Sequence, residues 1–186
     1  MVPIMSLTLP TVLAAVFVFI ASSIIHMLLP YHKSDYKKLP DEDAVRNALK
    51  PQNLAPGCYN IPSCTHENMK TPEMQEKFKQ GPVGLLNIMP SGAPNMGKFL
   101  GAWIVYCLVV CHFTAYVAAH TLAAGTPYLA VFRIVGAVAF MAFGVGNIPN
   151  AIWRGMTWTV VMKEVIDGIL YACLVAGTFG WLWPKG

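Results

Sequence analysis

The chain has 186 residues, 55% of them hydrophobic and only 12% charged, with a formal net charge of +4. A soluble domain carries about 25% charged residues, so the composition fits an integral membrane protein and gives no sign of a nucleic-acid partner. Between Phe99 and Gly186 the only charged residues are Arg133, Arg154, Lys163, Glu164, Asp167 and Lys185.

A spanning helix needs about 20 predominantly apolar residues. The first such run is Leu9–Leu29, inside a first transmembrane helix assigned to residues 1–29. No Lys or Arg precedes Lys33, and the run exceeds the core of about 7–15 residues typical of a signal peptide, so a retained helix is expected. Ser22, Ser23 and His26 lie near its end.

Residues 30–98 form a polar insertion with nine of the fourteen prolines. Pro40-Asp41-Glu42-Asp43 opening into Ala44–Lys50 predicts a short helix, with acids in the first turn where they favour the helix dipole. Thr71-Pro72-Glu73 predicts a second, capped by Thr71 and ended at Gly81, with Met74 and Phe78 four apart on one apolar face. Val83–Met89, bounded by Gly81-Pro82 and Pro90-Ser91-Gly92, predicts a strand, with Cys58–Ile61 as its partner. So few large apolar side chains make a marginal domain, and contact with the membrane surface or another protein is expected. Cys58, Cys64 and His66 match no standard zinc spacing.

Residues 99–183 carry three further spans: Phe99–Ala123, Tyr128–Ile148 and about Trp158–Trp183. In the first of these, Cys107, Cys111, Ala115 and Ala119 repeat every four residues, continued by Ala123. The next offers Ala142 and Gly146, and the last Ala172, Ala176 and Gly180. Small residues at this spacing let helix backbones approach closely where lipid supplies no hydrophobic drive. Cys173 reads as another buried small residue. Trp153 and Trp158 at one level, and Trp181 and Trp183 at the other, read as interfacial anchors. The expected fold is an all-α integral membrane protein: an antiparallel four-transmembrane-helix bundle with a small α/β-like polar insertion between helices 1 and 2.

Orientation follows from basic residues near span ends. Lys33, Lys37, Lys38, Lys98, Arg154 and Lys163 flank one side, whereas the turn Ala124–Pro127 carries no charge. Both termini are expected outside and residues 30–98 in the cytoplasm, as in a protein of a bacterial inner membrane. Arg133, close to the outer end, is expected to snorkel to the headgroups.

Ionisable side chains inside a membrane are costly, so they generally face a bundle interior and raise a functional hypothesis. His112, Tyr116 and His120 share a face of the second span. Glu164, Asp167 and Tyr171 share a face of the fourth, with the two acids on the side where His26 lies. Together these residues define a candidate ion or proton track. Interhelical hydrogen bonding and interfacial solvation account for the same residues without function.

No complete catalytic constellation is present, and no cofactor is required by the sequence. The leading expectation is a structural or accessory subunit that docks in a larger membrane complex or self-associates. The first alternative is a small transporter or proton-coupled carrier using the His/carboxylate track. The second is a redox protein binding haem or copper through His112 and another histidine, although His26 and His112 lie at different depths.

Overall fold

A computed structural model describes residues 1–186. Its helices are α1 (Thr8–Ser23), α2 (Glu42–Leu49), α3 (Pro72–Gln80), α4 (Met96–Thr121), α5 (Tyr128–Phe143), α6 (Ile148–Trp153) and α7 (Trp158–Trp181). Two strands, β1 (Gly57–Ile61) and β2 (Gly84–Ile88), complete the regular structure. The chain divides into two compact units, one comprising residues 1–35, 95–151 and 156–186 and the other residues 36–94 and 152–155. Residues 30–35, read from sequence as part of the polar insertion, therefore belong with the long helices.

Three stretches are long and apolar enough to cross a membrane: Ile4–Leu28, Met96–Thr121 and Tyr128–Trp153. Helix α1 packs on α4 and α7, and α5 packs on the same two helices from the other side. Leu7, Val18, Val131, Val135, Val175 and Phe179 are fully buried between them. Asn95 caps α4 by accepting a hydrogen bond from the Lys98 amide at 3.1 Å, which satisfies one of the free N–H groups of the first turn.

Helices α5 and α7 meet through small residues. A Cβ on Gly168 would lie 2.4 Å from the Gly144 Cα, one on Gly136 3.3 Å from the Ala176 Cβ, and one on Gly180 2.6 Å from the Tyr128 ring. The pairs run in opposite chain directions, as antiparallel helices require. Cys107, Cys111, Ala115 and Ala119 of α4 are buried, as are Ala172 and Ala176 of α7. Ala142 and Gly146, in contrast, are exposed. The packed face of α5 carries Val131, Val135, Ala139 and Phe143, which turns Ala142 outward. Gly146 falls in a 3-10 turn, Val145–Asn147, that interrupts the predicted span. Cys173 is exposed rather than buried, because α7 packs through its neighbours Ala172 and Ala176.

At one end of this unit both chain termini are tied down. The Val2 amide donates to the Ala119 carbonyl at 3.0 Å and the Gly125 amide to the Pro184 carbonyl at 2.9 Å. The Trp183 indole donates to the Ala123 carbonyl at 2.9 Å. Trp183 is thus a buried tie, not an interfacial anchor, whereas Trp153, Trp158 and Trp181 are exposed.

In the smaller unit β1 and β2 pair antiparallel, Gly57 opposite Ile88 and Ile61 opposite Gly84. Asp41 caps α2 through the Ala44 amide at 2.9 Å, and Thr71 caps α3 through the Met74 amide at 3.4 Å. Gly81 ends α3 with φ +62, a conformation that glycine adopts without steric cost. Met74 is the one buried large apolar side chain here, so the unit has almost no core of its own.

Candidate functional site: a histidine and carboxylate cluster beside a cavity

Helix α1 does not simply stop at Ser23. It continues as a π-helical stretch, Ile24–Leu28, that carries His26, and single π turns inside helices are frequent at functional sites. Leu29 is extended, with φ −84 and ψ 142, the conformation favoured by a residue that precedes proline. Pro30 then opens a 3-10 turn, Pro30–His32, and the chain doubles back. This brings the His32 ring against that of His26, with centroids 4.2 Å apart and the planes 26° from parallel.

Both nitrogens of His32 meet carboxylates. Nδ1 lies 2.5 Å from Asp35 Oδ2, and Nε2 lies 2.8 Å from Asp167 Oδ2. A ring facing two ionised carboxylates can donate to both only as the imidazolium. Asp167, on α7, is also 3.8 Å from His26 Nε2. The Tyr171 hydroxyl stands 3.5 Å from the same nitrogen. The side chains of Asp35 and Asp167 are 6% and 7% exposed, while that of His26 is 47% exposed.

Lys163, one turn before Asp167, completes the network. Its ammonium donates to the Tyr31 carbonyl at 2.8 Å, Ser34 Oγ at 2.8 Å and Asp35 Oδ1 at 2.6 Å, which uses all three of its donors. Burial pushes the Asp35 carboxyl up, but the hydrogen bonds and charges of Lys163 and His32 outweigh it and hold the group below its ordinary value. Burial, reinforced by the Asp167 charge, pushes the Tyr31 phenol up.

The cluster borders a cavity of about 370 Å³. His26, Glu164, Asp167, Tyr171 and Asn147 supply its polar wall, and Trp103, Tyr106 and Phe143 its aromatic wall. Those aromatics hold one another: Trp103 stacks on Tyr106 at 5.3 Å, and Phe143 meets Tyr106 and Tyr171 edge-on at 5.7 and 5.8 Å. The Trp103 indole is fixed by donating to Ser22 Oγ at 2.7 Å. Glu164 Oε2 is buried and has no hydrogen-bond partner, an uncommon and costly condition for a carboxylate oxygen. A second, mainly apolar groove of about 270 Å³ runs beside the first, between the end of α1 and the start of α4, with His26 and Trp103 shared by both.

Of the residues singled out from sequence, the structure brings together His26, Glu164, Asp167 and Tyr171. It does not bring His112, Tyr116 and His120 to them. These three are exposed on α4, with the Tyr116 and His120 rings 4.4 Å apart and His112 edge-on to Phe113. The inward face of α4 is taken by Cys107, Cys111, Ala115 and Ala119, so residues one position further along point away. Sequence reasoning passed over His32, Asp35, Trp103, Tyr106 and Asn147. A signal for the first two existed: Pro30 starts a turn, and His32 and Asp35 stand three apart in it.

Cys58, Cys64, Cys107, Cys111 and Cys173 are all free thiols. Cys58 and Cys64 join no cluster of metal-ligating groups. Comparison with protein-family models, with curated proteins and with solved structures finds no match.

Proposed function

We propose that the chain is a four-span membrane protein that takes up protons or small cations in the cavity beside His26, His32 and Asp167. The single observation that carries this reading is the cluster itself. Charged groups from the end of α1, the turn after it and α7 converge on a cavity within a largely apolar helical unit. Such groups are costly in a membrane and mark ion pathways and proton relays there.

Helix α7 serves as the fourth span. Its 24 residues cover about 36 Å at 1.5 Å per residue, enough for a hydrocarbon core of about 30 Å. Its charged residues lie in the first half, where Asp35 and His32 neutralise Lys163 and Asp167. Within the helical unit, Lys33 follows the His32 turn and Lys98 opens α4, so the positive-inside rule turns the cavity toward the cytoplasm. His26, Glu164 and Asp167 line the cavity that such an ion would enter, and His32 is hydrogen-bonded between Asp35 and Asp167 behind it.

Proteoliposomes with an interior pH dye test this reading. An imposed cation or proton gradient should produce flux through the wild type, reduced at least tenfold in both Asp167→Asn and Glu164→Gln. Undiminished flux in both variants removes the carboxylates from the mechanism and overturns the proposal.

A second reading, an accessory subunit or homo-oligomer, is favoured by a different observation. His112 sits near the middle of α4 on its exposed face, where contact with lipid would be expensive for a polar ring. A protein partner lying on that face would relieve the cost. Purification from native membranes in mild detergent should then yield a complex, and a lone monodisperse monomer counts against it. Haem finds less support, since the stacked His26 and His32 rings lie side by side and cannot bracket an iron from opposite faces.

A further inference from the structure

We infer that His26, His32 and Asp167 form a binding site for one divalent transition-metal ion, with its open coordination position facing the cavity. This deepens the cavity reading above and rests on it in one respect, that water reaches the cavity.

The geometry comes first. One ligand atom from each residue lies within 4.8 Å of the other two. Tetrahedral zinc, with bonds of about 2.0–2.2 Å, holds its ligand atoms roughly 3.4 Å apart. Here His32 Nε2 and His26 Nε2 lie 2.8 and 3.8 Å from Asp167 Oδ2, on either side of that spacing. The stacked rings must splay for both nitrogens to reach one ion. His26 has room to do so, being half-exposed on a π-helical turn.

Chemistry selects the ion. Two imidazoles and one carboxylate are the donor set of catalytic zinc sites and of facial triads that hold iron(II). Calcium and magnesium take oxygen ligands instead, so a site two-thirds nitrogen discriminates against them. Three protein ligands leave a coordination position open, as in catalytic rather than structural sites.

The surroundings match a metal centre as well. A metal-bound histidine almost always gives its second N–H to a carboxylate, a backbone carbonyl or water, which fixes its orientation. His32 does this with Asp35, and Lys163 holds Asp35 in turn. A plain buried ion network would explain His32, Asp35, Asp167 and Lys163. It would not explain why Glu164 presents a buried, unpartnered oxygen to the same cavity. Glu164 lines the cavity that the open coordination position would face.

The test uses full-length, tag-free protein in detergent, stripped with chelator and titrated with zinc sulfate in excess magnesium. One zinc per chain should bind, with affinity read by competition against a chromophoric chelator. His26→Gln and Asp167→Asn should each weaken it at least tenfold, and Asp35→Asn by roughly tenfold to a hundredfold. The double variant Cys58→Ser/Cys64→Ser should match wild type. His26→Gln decides the matter if a buried variant fails to fold, because the side chain it removes is half-exposed and leaves little unsatisfied behind. Absence of stoichiometric zinc, undiminished affinity in His26→Gln, or loss of binding in the cysteine variant overturns the inference. Binding is read without flux, so zinc uptake in a protein that carries nothing would sink only the carrier reading. Flux without zinc binding would sink only this one.

Discussion

Lys163 shows how one side chain can organise a site. Its three donors tie Tyr31, Ser34 and Asp35 to α7, and that tie keeps the His32 turn folded back under the helices. Hydrogen bonds involving a charged group contribute about 1.5–3 kcal/mol each, and loss of the ammonium leaves Asp35 buried beside no cation but His32. Lys163→Met is therefore expected to cost at least about 2 kcal/mol, measured by chemical unfolding in detergent. The acid side of the stability profile should change too. The Asp35 carboxyl is held below its ordinary value in the folded protein, so its contribution is complete above about pH 3.9 and is lost as pH falls through the lower folded value. Without Lys163 the opposing effect of burial gains weight, and the loss should begin at higher pH. An acid-unfolding midpoint that stays where it is in Lys163→Met would show that the pair does not hold Asp35 ionised.

Among the elements, the α5–α7 pair is the tightest, and its closeness bears directly on the cavity. Gly144 ends α5 at the point where Gly168 of α7 comes nearest, and the interruption lets Phe143 and Asn147 both line the cavity. A methyl group at Gly168 would overlap backbone atoms of Gly144, which cannot swing aside as a flexible side chain can. Gly168→Ala is expected to destabilise by about 1–3 kcal/mol, the usual cost of overpacking. Gly101→Ala is the control: it meets nothing within 4 Å, and better helix propensity should add up to about 1 kcal/mol. Thermal unfolding of the two variants side by side separates them, and equal midpoints would mean that the helices part without cost. The small-residue spacing of α4 and α7 was legible in the sequence. The partner residues on α5 were not, because several small residues there repeat at compatible spacings and only the neighbouring helices select the face.

For the molecule as a whole, the division into a helical unit and a nearly coreless polar unit makes orientation testable without assuming any function. Cys58 is exposed in the polar unit, whereas Cys107 and Cys111 are buried. If the proposed orientation, with both termini outside, holds, a membrane-impermeant maleimide should label Cys58 in inside-out vesicles and leave it unmodified in sealed right-side-out ones. Labelling from the outside would invert the topology and place the His32 cluster on the opposite face of the membrane.

Apolar run length, proline and glycine punctuation and helix capping act over a few residues. For that reason the long helices, the paired strands β1 and β2 and the short helices α2 and α3 could all be read from the chain. The same local rules identified Glu164, Asp167 and Tyr171 as one face of α7. They could not say which partner that face would meet. His112 and His120 fit the pattern as well as His26, yet they point outward because the four-residue stripe of α4 is used for packing. His32 looked like one more residue of a polar loop until the turn at Pro30 carried it back beneath His26. Its two carboxylate partners stand 3 and 135 positions away. A contact across that second separation depends on how α1 and α7 pack, which no local pattern encodes. The cluster therefore belongs to the tertiary structure, and the helices that bring it together belong to the sequence.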